Sequence, residues 1–116
     1  MLDIKARDAG EITILDLTGS LVSGLGLEQL RPRIDQLVTA KKVNVVLNMH
    51  GVSVIDSAGV GDLVGCFSTL KRAGGTIKIL KPSPFVQDIL RITKLPTLIE
   101  VHDAEDAALK SFTKQS

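Results

Sequence analysis

The hydrophobic positions of this chain switch between a period of two and a period of three to four, and the switches mark its elements. Residues Leu2 to Ala6 alternate weakly, as an edge strand does. From Glu11 to Thr18 the alternation is clearer: Ile12, Ile14 and Asp16 point one way, Leu15 and Leu17 the other. Asp8-Ala9-Gly10 between the two runs is turn chemistry, so residues 2 to 18 are predicted to form a hairpin. Gly19 to Gly26 holds three glycines and two serines and is predicted to be a loop, with Gly24-Leu25-Gly26 its flexible part. Leu27, Leu30, Ile34, Leu37 and Val38 then recur at helical spacing. Pro32 within that span either occupies the first turn, moving the helix start later, or introduces a kink.

Val43 to Met49 is a short, β-branched run that reads as a central strand, followed by a linker from His50 to Ile55. A second helix carries Val60, Leu63, Val64, Phe67 and Leu70. Lys71-Arg72-Ala73-Gly74-Gly75 supplies cations for its last turn and glycine after it, as the helix dipole and a left-handed cap favour. Thr76 to Leu80 is a strand. Pro84 opens a third helix with Phe85, Val86, Ile89, Leu90 and Ile92. Thr97 to Val101 reads as a brief last strand, and Asp103 as the cap of a final helix from Ala104 to about Phe112, with Asp106 and Lys110 at i,i+4. The order predicts an α/β fold: an N-terminal hairpin, then alternating helices and strands in a mixed sheet with parallel crossovers and about four helices, all within a single domain spanning 1–116.

Composition narrows the function classes. Hydrophobic residues at 44% and charged residues at 23% are normal for a soluble globular fold. A chain of this size buries about two-thirds of its unfolded surface, so it needs neither disulfides nor a metal. With one cysteine no internal disulfide forms, which fits a reducing compartment. The opening Met1-Leu2-Asp3-Ile4-Lys5 has no basic region followed by an apolar run, so no signal peptide is expected, and no apolar run approaches the about 18 residues of a membrane span. These features predict a cytoplasmic protein without membrane association. The net charge of +1 is spread along the chain, and aromatics are 3% with no Trp or Tyr, so neither a basic face nor stacking residues signal a nucleic-acid partner, and none is expected.

The segment that carries chemistry is Val54-Ile55-Asp56-Ser57-Ala58-Gly59-Val60-Gly61-Asp62-Leu63-Val64. Asp56 and Ser57 both lie where an N-cap belongs, and either side chain can accept from the first-turn N–H groups. Gly59 and Gly61 each cost about 1 kcal/mol of helix propensity relative to Ala. Two such costs together imply a bare backbone surface, either for another chain to approach or for tight packing on the sheet. A phosphate on Ser57 would meet unpaired N–H groups and the positive end of the dipole, while Asp56 and Asp62 would repel it.

Asp56-Ser57-Ala58-Gly59-Val60-Gly61 resembles the Asp-Ser-x-Gly-Leu-Gly motif of the anti-sigma-factor antagonists, bacterial members of the STAS domain family. The likeness extends to Leu17-Thr18-Gly19, the Val43 to Asn48 strand, Lys71-Arg72-Ala73-Gly74-Gly75 and the closing helices. It implies a STAS-like mixed sheet and a switch in place of an enzyme. Unphosphorylated, the protein would bind an anti-sigma factor that is also a serine kinase; phosphorylated on Ser57 it would let go, and a PP2C-type phosphatase would reset it. The implied partner face comprises Ser20, Leu21, Val22, Ser23, Asp56, Ser57, Ala58, Gly59, Val60, Gly61 and Asp62. Two positions depart from the pattern. Ser20-Leu21-Val22 stands where many relatives have Glu-Leu-Asp, so Val22 replaces an acidic residue; Ala58 leaves Ser57 as the one hydroxyl of the motif. The altered loop motivates a second expectation, a non-switching STAS scaffold subunit of a larger signalling or transport complex.

Other chemistry is weakly signalled. Gly59-x-Gly61 lacks the third glycine of a dinucleotide loop, which would fall at Val64. Cys66 lies in an apolar helix face and reads as a small buried hydrophobe. His50 and His102 have no partners at metal-ligand spacing, and Asp56 and Asp62 form no acid–base pair, so no catalytic residue, metal or cofactor is predicted.

Overall fold

A computed structural model describes residues 2–24 and 27–113. The described residues form one five-stranded sheet in the order β1-β2-β3-β4-β5, with four α-helices. Strands β1 (Leu2–Ala9) and β2 (Ile12–Leu21) make the hairpin, closed at Gly10 by a left-handed φ of 65°. Helix α1 (Leu27–Thr39) crosses to β3 (Asn44–Ile55), α2 (Ser57–Arg72) to β4 (Thr76–Leu80) and α3 (Pro84–Ile92) to β5 (Val101–His102); each of these strands pairs parallel with the one before it in the sheet. Helix α4 (Glu105–Thr113) follows.

Several boundaries differ from the sequence reading. The predicted loop at Gly19 is strand as far as Leu21, and the predicted linker His50 to Ile55 is the second half of β3. The two corrections share a cause. Register shifts between Asp16 and Thr18 and between Gly19 and Ser20 let β2 follow β3 past its first half, and Gly19 takes a φ of 122° there. Gly51, read as a linker residue, is where the strands approach: a Cβ would stand 2.8 Å from the Leu17 carbonyl oxygen. Pro32 does not delay α1, which begins at Leu27 and carries the proline inside it. Thr97 belongs to a 3-10 turn, Leu95–Thr97, and only Val101 and His102 pair with β4. Of the flexible reading at Gly24-Leu25-Gly26, Leu25 and Gly26 lie outside the described residues.

Both sheet faces are covered, unequally. Leu15, Leu17, Val45, Leu47, Ile77 and Ile79 pack beneath α1, α2 and α3, which contribute Leu30, Ile34, Leu63, Cys66, Leu70, Val86 and Leu90. The other face is thinner: Ile14, Val46 and Leu80 meet Ala108, Leu109 and Phe112 of α4. Polar contacts supplement that smaller core. Arg7 reaches both Glu105 of α4 (2.6 Å) and Asp16 of β2 (2.7 Å). Lys78, 1% exposed, points its Nζ at Ser111 Oγ (2.8 Å), Glu100 Oε1 (3.1 Å) and the Phe112 ring (4.6 Å). On the surface of α4, Lys110 and Asp106 pair at 3.1 Å, as their spacing predicts.

The end of α2 is a Schellman motif. Gly74, at φ 94°, donates to Lys71 O (3.1 Å) and Gly75 to Leu70 O (2.8 Å), so the glycine pair returns the chain directly into β4.

Candidate functional site

Strand β3 delivers the chain to α2 at Asp56, and the junction is built around that carboxylate. Asp56 has extended φ and ψ of −113° and −176° and is the N-cap. Its Oδ1 accepts from the Gly59 amide at 2.8 Å, an Asx cap on the third helical residue. Its Oδ2 accepts from the Ser23 amide at 3.1 Å, across the gap to the loop after β2. Together these amides hold the Asp56 carboxyl below the ordinary carboxylate range, Gly59 contributing most.

The choice between Asp56 and Ser57 as cap is therefore resolved in favour of Asp56. Ser57 is the first residue of α2 and is exposed, with Ala58 exposed beside it. Its hydroxyl is not engaged in capping.

The two glycines of the motif do different things. Gly59 is buried, and a Cβ on it would collide with the Leu21 carbonyl oxygen and stand 2.7 Å from Ile55 Cγ1. It exists for packing of the helix on the end of β2. Gly61 is exposed and has nothing within 4 Å of a Cβ position. Among the described residues no packing requires glycine at Gly61.

The loop side of the junction is held by further contacts. Asp56 N donates to Leu21 O at 3.4 Å, and Ser53 Oγ to Gly19 O at 3.2 Å. Ser23 is exposed, while Ser20 and Val22 are half-buried. Leu21, expected on the partner face, is instead 0% exposed and belongs to the core, as do Gly59 and Val60. The alternation of β2 continues through its bulges and turns the Leu21 side chain inward. Such residues can offer a partner backbone only.

Asp62 is a further correction. Its side chain is 12% exposed and turns toward α1, where Arg31 Nη1 lies 3.7 Å from Oδ1. Burial pushes its carboxyl above the usual range, and the Arg31 cation pulls it partly back. Arg31 crosses α2 at Gly65, whose missing side chain makes room for the guanidinium, and reaches Thr69 Oγ1 at 3.4 Å. Sequence reasoning missed this crossing. A third glycine inside an otherwise good helix was the available signal. With Asp62 turned to a cation, the negative charge nearest Ser57 along the chain is that of Asp56.

The remaining candidates stand apart from the junction. Cys66 is buried, and burial pushes its thiol up to about 12, so it is an inert core residue. His50 is exposed, and His102 Nε2 lies 3.0 Å from Glu100 Oε1 on the far edge of the sheet. Among the described residues no cluster of three His, Cys, Asp or Glu could hold a metal, and no helix is long and apolar enough to cross a membrane.

A family model of the STAS domain matches residues 3–108. The chain belongs to the STAS domain family. Among its STAS relatives, an anti-sigma F factor antagonist of Lysinibacillus sphaericus is 29% identical over 86 residues, 73% of each chain. An anti-sigma factor antagonist of Mycobacterium paratuberculosis has the same fold with a TM-score of 0.84 at 16% identity, covering 96% of this chain and 93% of that one. Two SpoIIAA structures, an anti-sigma factor antagonist in unphosphorylated form and a Bacillus cell fate determinant in phosphorylated form, are both 22% identical to this chain. The unphosphorylated form gives a TM-score of 0.80 over 97% of both chains, and the phosphorylated form 0.71 over 95% of this chain and 99% of that one. This STAS chain therefore has the mixed α/β architecture of the antagonists over nearly its whole length.

Proposed function

We propose that this chain, acting as a single STAS-like domain, is an anti-sigma-factor antagonist and a phosphorylation-controlled binding switch. Unphosphorylated, it binds an anti-sigma factor with serine kinase activity; phosphorylation of Ser57 ends the complex, and a PP2C-type phosphatase restores it. It works by binding and not by catalysis. The observation that carries this reading is the exposed Ser57 hydroxyl at the first position of α2, left free of capping because Asp56 performs that role. A small neutral alcohol there adds little bulk or charge to a surface on which Ser23, Ala58 and Gly61 are also exposed.

A phosphate on Ser57 changes that surface by about −1.5 to −2 charges and three acceptor oxygens. The α2 dipole favours it and the Asp56 carboxylate opposes it; the domain is expected to stay folded while the surface at Ser57 goes from neutral to strongly negative. A partner fitted to the hydroxyl must then bury a dianion or leave.

The test is to recover the chain from its native cells in several growth states and map its modifications by mass spectrometry. We expect one phosphate confined to the peptide bearing Ser57 and absent from Ser57→Ala. A second reading, a non-switching scaffold subunit, is favoured by Ser20 near the end of β2 and Val22 just after it, neither of which is acidic. Ser57 unmodified in every state, with the chain eluting in a large assembly, would establish that reading and reject the switch.

A further inference from the structure

We propose that Asp56 is a positioning residue that couples the modification state of Ser57 to the loop after β2. This rests on the reading of Ser57 as the phosphoacceptor and adds how the signal spreads. The carboxylate divides its two oxygens between separate segments: Oδ1 on the Gly59 amide at 2.8 Å and Oδ2 on the Ser23 amide at 3.1 Å, 33 residues away in sequence. The first contact lies inside α2. The second bridges to a segment that begins where β2 ends. Among the described contacts, Ser23 is held to α2 through this one side-chain oxygen.

A dianion on the adjacent residue raises the cost of a charged carboxylate at that position. The cap on Gly59 is local to the helix and survives a small rotation of the side chain. The Ser23 contact requires the second oxygen to stay aimed across the gap, and it gives way first. Phosphorylation thus removes the partner's target twice, by placing charge at Ser57 and by releasing the loop beside it.

Asparagine separates the two arms. As an N-cap it is as good as aspartate, but its amide group would face the Ser23 N–H donor to donor. Asp56→Asn therefore keeps the cap and breaks the bridge; Asp56→Ser, a good cap with a single oxygen, does the same by another route. The experiment reads the Ser23 backbone amide by NMR and hydrogen exchange, without any partner, in wild type and both variants. Each is measured with serine and with genetically encoded phosphoserine at 57. We expect Ser23 exchange to be about tenfold faster or more in both variants. Phosphoserine should shift the Ser23 amide in wild type and leave it unmoved in the variants. Ser23 exchange unchanged by both substitutions, or an equal phosphoserine shift with and without Asp56, would overturn the proposal. Neither outcome bears on whether Ser57 is phosphorylated in cells, so the two readings fail separately.

Discussion

Gly59→Ala is expected to destabilise the fold by about 1–3 kcal/mol even after its gain in helix propensity. The added methyl would meet the Leu21 carbonyl oxygen and the Ile55 side chain. The carbonyl is backbone at the end of β2, so relief requires moving the strand or the helix and not merely a rotamer. Gly61→Ala, two residues on, carries the opposite sign. Its methyl has open space, so up to about 1 kcal/mol of helix propensity is recovered. Thermal melts of the two variants should diverge by roughly 5–15 °C about wild type. The second half of the expectation concerns binding. If glycine at Gly61 serves a close partner approach, the more stable Gly61→Ala chain binds its partner less well. A stabilised variant with undiminished affinity would show that the partner does not reach that turn.

Lys78→Ala is expected to cost about 2–4 kcal/mol, a loss similar to that of truncating a large core residue, although the side chain is charged. The tetramethylene stem fills the space between β4 and α4, and the ammonium ends against Phe112 and Ser111. Its carboxylate partner, Glu100, is 54% exposed in its side chain and stays hydrated when the cation is removed. Lys78→Met keeps the stem and should stay within about 1 kcal/mol of wild type. Denaturant melts of both variants, followed by a probe on α4, decide the matter. Equal losses for Ala and Met would mean that charge, not packing, holds the helix down.

Much of this molecule could be read before it was seen. Val60, Leu63, Val64, Phe67 and Leu70 announced α2, and Gly74-Gly75 announced its end, because period and cap chemistry are local. The Asp56-Ser57 junction was legible for the same reason: a capping residue and its helix are neighbours in sequence. What was not legible depends on residues far apart. The second half of β3 reads as a linker in sequence because Gly51 looks like a breaker, and only the approach of Leu17 and Thr18 explains it. Asp62 was assigned to the surface because nothing near it in sequence reveals that Arg31 lies over α2. Leu21 was assigned to a loop because bulges that prolong a strand leave only a glycine as their trace. The burial of Lys78 has no local sign, since α4 returns over that face from more than twenty residues later.

The role proposed for Ser57 is tested most directly by titrating the proposed partner, an anti-sigma factor with serine kinase activity, against two otherwise identical chains, one with serine and one with phosphoserine at 57. The phosphorylated chain is expected to bind about 100-fold or more weakly, the cost of bringing an uncompensated dianion into a fitted interface, with Ser57→Ala matching the unmodified chain and Ser57→Asp between. Equal affinity for serine and phosphoserine would contradict the account.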